Sequence, residues 1–161
     1  MPATRTRRAA TALAAAATAG LAFTAFAVTP AAAADPVTVT LTLTGPSGVI
    51  FDDEVTTTGH TVTPVTGGNH PCDGTNNGAN PTAGATPTAA LDDAADDNNF
   101  DWAGVWYSSF DDYLVTTIDG YSQDADHFYE ISVNGTPTPV GGCQFLLEEG
   151  DEVAFTWTEI W

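Results

Sequence analysis

The chain is 161 residues long and sets 21 acidic side chains against three basic ones, for a formal net charge of -18. Arg5, Arg7 and Arg8 are those three, and all precede an alanine-rich apolar stretch, so setting them aside takes the charge beyond residue 34 from -18 to -21. A surface of that sign repels phosphate backbones, which argues against a nucleic-acid partner, and its plainest role is a solvated face that keeps the chain soluble.

The arginines, the apolar run Leu13 to Val28 and the small residues Ala32-Ala33-Ala34 ahead of Asp35 read as a signal peptide over residues 1–34. That run is too short and too rich in alanine for a permanent membrane span. Arg7-Arg8 raises a twin-arginine route, but Ala9-Ala10-Thr11 lack the character expected behind such a pair, which favours the general secretory route. Either route predicts a secreted, extracellular product. Removing 34 of the 161 residues leaves 127, enough for one domain with a modest core, at 35–161. With no further long apolar run, no cysteine at the cleavage site and no sorting tail at Glu159-Ile160-Trp161, stable membrane insertion is not expected. Cys72 and Cys143 are most simply one disulfide in an oxidising compartment, with two free thiols as the alternative. A bridge across 71 positions would stabilise the fold by about 4 kcal/mol.

Val37 to Thr44 alternates apolar residues with threonine at period two, the pattern of a half-buried strand. Gly45-Pro46-Ser47-Gly48 turns the chain, Val49-Ile50-Phe51 starts the return, and Asp52-Asp53-Glu54 precedes a second β-prone piece from Val55 to Val65, giving a hairpin or small meander. Residues 67–87 are Gly, Asn, Pro and Thr with almost no large apolar side chain, a loop of about twenty residues that is either functional or tied down. Cys72 sits inside it as a staple. No tandem repeat is visible. Thr88 followed by Ala89-Ala90-Leu91-Asp92-Asp93-Ala94-Ala95 predicts a capped helix ended by Asn98-Asn99, with an alanine face that needs a sheet to pack on.

Phe100, Trp102, Val105, Trp106 and Tyr107 come next. In Tyr113 to Ile118 the β-branched residues favour strand, although Phe110, Tyr113 and Leu114 also have helical spacing; Asp119-Gly120 closes it. Phe128 to Val133 leads into Asn134-Gly135, a hairpin-turn signal. Gly141 to Leu147 and Val153 to Trp157 are further strand candidates, joined by Glu148-Glu149-Gly150-Asp151. The fold class is α+β, mostly β with one short helix.

Phe128 to Gly135, Val140-Gly141-Gly142-Cys143, and Gly150-Asp151-Glu152-Val153 with Phe155 and Trp157 together resemble the domain at the carboxyl end of transcobalamin and intrinsic factor. The likeness is greatest to a stand-alone secreted form from actinobacteria, and it covers nearly all of 35–161 when the early hairpin, the helix and the strand Leu114 to Ile118 are matched. The resemblance implies a β-grasp-like fold, with the helix packed on a mixed sheet, and non-catalytic work. In transcobalamin the domain closes over a cobalamin held mainly by a large helical domain, which has no counterpart here; a corrinoid is one candidate ligand, and no residue inherits a ligand role. Asn134, Gly135, Gly150 and Asp151 are read as turn geometry.

Trp102, Trp106, Tyr107, Phe110 and Tyr113 are the densest aromatic stretch, and they serve either as core or as a partly exposed patch that stacks on a ligand or protein partner. The acidic pairs Asp92-Asp93, Asp96-Asp97 and Asp111-Asp112 lack the spacing of a calcium loop and read as solvated surface. His60, His70 and His127 have no metal-binding spacing, so neither metal nor cofactor is expected. An enzyme is not expected either, since no nucleophile elbow and no cationic substrate anchor are present. Two readings of function follow: a secreted binding module for a small ligand or an extracellular protein, and a structural or adhesive surface module without a small-molecule site.

Overall fold

A computed structural model describes residues 34–160, so the predicted leader lies outside the described residues apart from Ala34. The alternation from Val37 becomes strand β1, Val37–Gly45, with Val39, Leu41 and Leu43 buried and the intervening threonines on the opposite face. Strand β2, Gly48–Thr57, pairs antiparallel to it across Pro46-Ser47. The β-prone piece expected from Val55 to Val65 is not separate from the return strand at its start: β2 runs straight through Asp52-Asp53-Glu54 to Thr57. These acids lie exposed on the outermost strand of its sheet, where their charges stay solvated, and Thr42 Oγ1 donates to Asp52 Oδ1 at 3.0 Å.

The stretch expected as loop 67–87 contains a strand. β3, His60–Val62, and β4, His70–Cys72, form an antiparallel ribbon, followed by a single 3-10 turn at Asn76–Gly78. Helix α1, Pro87–Asn98, starts earlier than predicted: Thr86, not Thr88, is the cap, its Oγ1 accepting the Ala89 N–H at 3.2 Å, with Pro87 as the first helical residue. Asn99 ends the helix in the left-handed region at φ 56°, its N–H returning to the Ala95 carbonyl.

Strands β5, Trp102–Tyr107, β6, Asp112–Ile118, and β7, Tyr121–Ser122, make a three-stranded antiparallel sheet. Asp119-Gly120 closes β6 onto β7 with φ of 47° and 78°, and Asn134-Gly135 closes β8, His127–Val133, onto β9, Thr136–Pro137, with φ of 50° and 72°. Both are two-residue turns whose positive φ favours these residue types. The strand expected over Gly141 to Leu147 does not form. Cys143 gives its N–H to a side chain, Asp112, instead of a strand ladder, and Gln144 N–H turns back to the Gly141 carbonyl at 3.1 Å.

The last strand, β10, Glu152–Glu159, inserts between β1 and β8, giving a five-stranded sheet of order β2-β1-β10-β8-β9. Its β1–β10 pair is parallel and the rest antiparallel, so the described residues form an α+β fold with a mixed sheet and one α-helix. Inward side chains Leu41, Leu43, Val153 and Phe155 share one core with Ala89, Ala90, Leu91 and Ala94 of α1. Alanine lets helix and sheet approach closely, and burial of this face supplies the stability that so short a helix lacks alone. Cys72 and Cys143 form the disulfide, fully buried, with Cα atoms 4.3 Å apart.

Candidate functional site

Strand alternation and one loop divide the aromatic stretch into two populations. Trp102 and Tyr113 are core residues, 2% and 5% exposed, and each satisfies its polar atom: Trp102 Nε1 donates to Asp92 Oδ1 at 2.7 Å, and the Tyr113 hydroxyl donates to the Gly68 carbonyl. Burial pushes the Tyr113 phenol up to about 12. Trp106 is half-buried with its ring stacked on His70, centroids 3.9 Å apart. Tyr107 and Phe110 face solvent, 44% and 62% exposed, with their rings 6.3 Å apart and tilted by 64°.

Those two exposed rings flank a cleft of about 480 Å³ between the β5–β6 loop, 108–111, and the segment after β9. Leu114, Pro139 and Val140 add apolar wall, while Asn77, Asp112 and Gln144 supply polar groups. The loop is pinned from both sides. Asn76 Nδ2 donates to the Asp111 carbonyl at 2.9 Å, Asn77 N–H donates to Asp111 Oδ2 at 2.9 Å, and Gln144 Nε2 donates to the Phe110 carbonyl at 2.7 Å. Asn80 ties the two pinning segments together through the Gly74 and Gln144 carbonyls, at 2.7 and 2.8 Å. The Cys72–Cys143 bond joins the same segments covalently. The asparagines of the long loop therefore hold the rim of the cleft.

Asp112 begins β6 and lines the cleft although only 4% of it is exposed. Its Oδ1 accepts the N–H groups of Tyr113 and Cys143 at 2.7 and 3.1 Å. Burial nevertheless outweighs those bonds and, with Asp111 adding repulsion, pushes its carboxyl up to about 6. Gly141 packs so closely that a Cβ there would overlap the Asp112 carboxylate.

A second polar cluster ties α1 to its neighbours. Asp92, buried on the helix, accepts Trp102 Nε1 and the Thr63 N–H, and His60 Nε2 lies 3.3 Å from its Oδ2. Burial pushes the Asp92 carboxyl up, but the His60, Trp102 and Thr63 bonds together hold it below its usual range. The Asp92 bond carries His60 up to about 9 despite the opposing effect of burial. Every polar atom named here points at another named atom, which is the signature of a structural tie.

The turn residues are equally structural. Asn134 Nδ2 donates to Asp151 Oδ1 at 2.8 Å, its Oδ1 accepts the Glu152 N–H at 3.0 Å, and Asp151 Oδ2 accepts the Glu148 N–H at 2.8 Å. Gly150, at φ 83°, donates its N–H to the Thr38 carbonyl, so both turns lock the end of β10's approach to β1. Among the described residues no group of three His, Cys, Asp or Glu is placed to hold a metal ion, and no helix is long and apolar enough to cross a membrane.

Sequence reading singled out both exposed rings but missed Asp112, Pro139, Val140 and Gln144 as their neighbours. The acidic pair Asp111-Asp112 was visible only as charge; its signal lay in position, at the junction of a hairpin loop and a strand. No protein-family model matches this chain, and no curated protein matches it.

Proposed function

We propose that this chain is a secreted, non-catalytic binding module with a β-grasp-like fold, related to the carboxyl-terminal domain of transcobalamin, that holds a small ligand in the cleft beside Phe110. The strand order, with an early hairpin beside a parallel first-and-last pair and a helix packed on it, supports the fold reading. The observation that carries the functional reading is the exposure of Tyr107 and Phe110 on a concave, partly apolar surface whose rim is braced by hydrogen bonds and a disulfide. A volume of about 480 Å³ is within the range of small-molecule sites. The adhesive reading would draw on the outer edge of β2, but Asp52, Asp53 and Glu54 are exposed along that strand, and such charges oppose strand-to-strand addition.

Titration calorimetry of the oxidised chain with cobalamin, other corrinoids and a panel of aromatic small molecules tests this. Saturable one-to-one binding is expected for a member of the panel, weakened about tenfold by Phe110→Ala, as loss of one ring contact of about 1.4 kcal/mol gives. The melting temperature of that variant should be unchanged, because Phe110 is solvent-facing. Absence of saturable binding at high micromolar concentration across the panel would remove the small-ligand reading.

A further inference from the structure

The cleft combines three features that select on charge. Its exposed rings, Tyr107 and Phe110, present π faces, which carry partial negative charge and attract a cation within about 6 Å of the ring centre. Asp112 is among its lining residues although only 4% exposed, its carboxylate accepting the backbone N–H groups of Tyr113 and Cys143 and lying near the Gln144 amide and the like-charged Asp111. No lysine or arginine occurs beyond residue 8, so none of the described residues supplies that carboxylate with a permanent cationic partner. The titratable groups lining the cleft with it are the Tyr107 and Tyr113 phenols.

We infer that the cleft takes an organic ammonium ion on an apolar body, the positive head directed to Asp112 and the body lying between Phe110, Tyr107 and the Leu114–Pro139–Val140 wall. The inference rests on the small-ligand reading above and narrows it to one chemical class. A neutral ligand of the same shape gains the apolar contacts but brings no counter-charge to Asp112, whose buried carboxylate is held by hydrogen bonds alone. An anion meets Asp112 and two electron-rich rings, all unfavourable. A cation supplies the missing counter-charge, and its apolar body distinguishes it from the inorganic ions that the acidic surface gathers diffusely. The positive head offsets the penalty that burial places on the Asp112 charge, so binding favours the ionised form and releases a proton wherever free Asp112 is partly protonated.

The test uses the full oxidised chain and four probes of similar shape: benzyltrimethylammonium, phenethylammonium, phenethyl alcohol and phenylacetate. Affinities are measured by calorimetry in constant NaCl from pH 5 to pH 7.5, and the Tyr107 and Phe110 ring resonances are followed by NMR. Both ammonium ions should bind at least tenfold tighter than the alcohol, shift both rings, and tighten as pH rises through about 6 while the alcohol stays flat. Asp112→Asn should remove most of the ammonium ions' advantage over the alcohol, leaving only the share due to the rings, and abolish the pH dependence. Because Asp112 also holds two backbone N–H groups, near-ultraviolet circular dichroism checks that variant's fold, and the wild-type pH profile stands independently of it. If alcohol or phenylacetate binds as tightly as the ammonium ions with the same ring shifts, the cation class is wrong and the small-ligand reading survives. If ammonium binding leaves the rings unmoved and vanishes in added NaCl, it is diffuse attraction and the inference fails. If neither these probes nor the corrinoids move the rings, both readings fall together.

Discussion

Among the described residues histidine alone supplies cationic partners: His60 pairs with Asp92 and Asp93 at 3.3 and 3.8 Å, and His127 pairs with Asp124 at 2.9 Å. His60 is raised to about 9 from an ordinary 6.5, so its contribution to stability is fully present below 6.5 and is lost as pH climbs through about 9. Asp92 is lowered, so its contribution is present above the ordinary 3.8 and lost only as pH falls through its depressed value. Asp112 acts in the opposite sense: raised to about 6 by burial, it penalises the fold above that pH, and the penalty is relieved as pH falls from about 6 toward 3.8. All three place maximal stability in mild acid, between pH 4 and 6, with a decline toward pH 9. Melting temperatures across that range check it. His60→Ala should lower stability by about 2 kcal/mol at pH 6, the screened worth of such a shift, and should flatten the decline between pH 6.5 and 9. An undiminished alkaline decline in the variant would assign the effect elsewhere. None of this was legible in sequence, because His60 and Asp92 are 32 positions apart and meet only when α1 docks beside β3.

At the scale of elements, period-two alternation revealed β1, Asn134-Gly135 revealed a hairpin and Asp119-Gly120 marked the end of β6, since each signal is local. The failures were non-local. Asp52-Asp53-Glu54 looked like an interruption because nothing in the sequence says that β2 is an outer strand, and Gly141 to Leu147 looked like a strand because nothing says that Cys143 spends its N–H on Asp112. The Cys72–Cys143 bond joins the two segments that hold the β5–β6 loop, so its removal has an address as well as a cost. Replacing both cysteines by serine should destabilise the fold by about 4 kcal/mol in denaturant titrations, as expected for opening a closed loop of 71 positions. Amide exchange should accelerate first at Asn77, Phe110 and Cys143, whose N–H groups bond to Asp111, Tyr107 and Asp112 along that rim. Protection lost uniformly across all three sheets instead would make the disulfide a global clamp with no special tie to the cleft.

For the whole molecule, 21 carboxylates and no lysine or arginine beyond residue 34 create a self-repulsion that three histidines cannot offset. The fold disperses this charge: acids lie exposed along β2, at the turns and on the outer side of α1, while the interior admits Asp92 and Asp112, each with hydrogen bonds to its carboxylate. Repulsion between exposed charges is long-ranged at low ionic strength, where the screening length is about 30 Å at 0.01 M salt, and falls to about 8 Å at 0.15 M. Neutral-pH stability should therefore rise with NaCl by about 1–3 kcal/mol between those concentrations, a gain of several degrees in melting temperature for a domain of this size. KCl should match NaCl. Calcium chloride at equal ionic strength should add little beyond the screening expected of a divalent ion, since the described acids form no cluster with metal-binding geometry. A melting temperature indifferent to NaCl but raised steeply and saturably by micromolar calcium would show that the acids bind a specific ion. Salt also separates the surface from the cleft: screening weakens the diffuse attraction of every cation, whereas the organic ammonium proposed for the cleft should keep the share of its affinity that comes from apolar contacts, which do not depend on ionic strength.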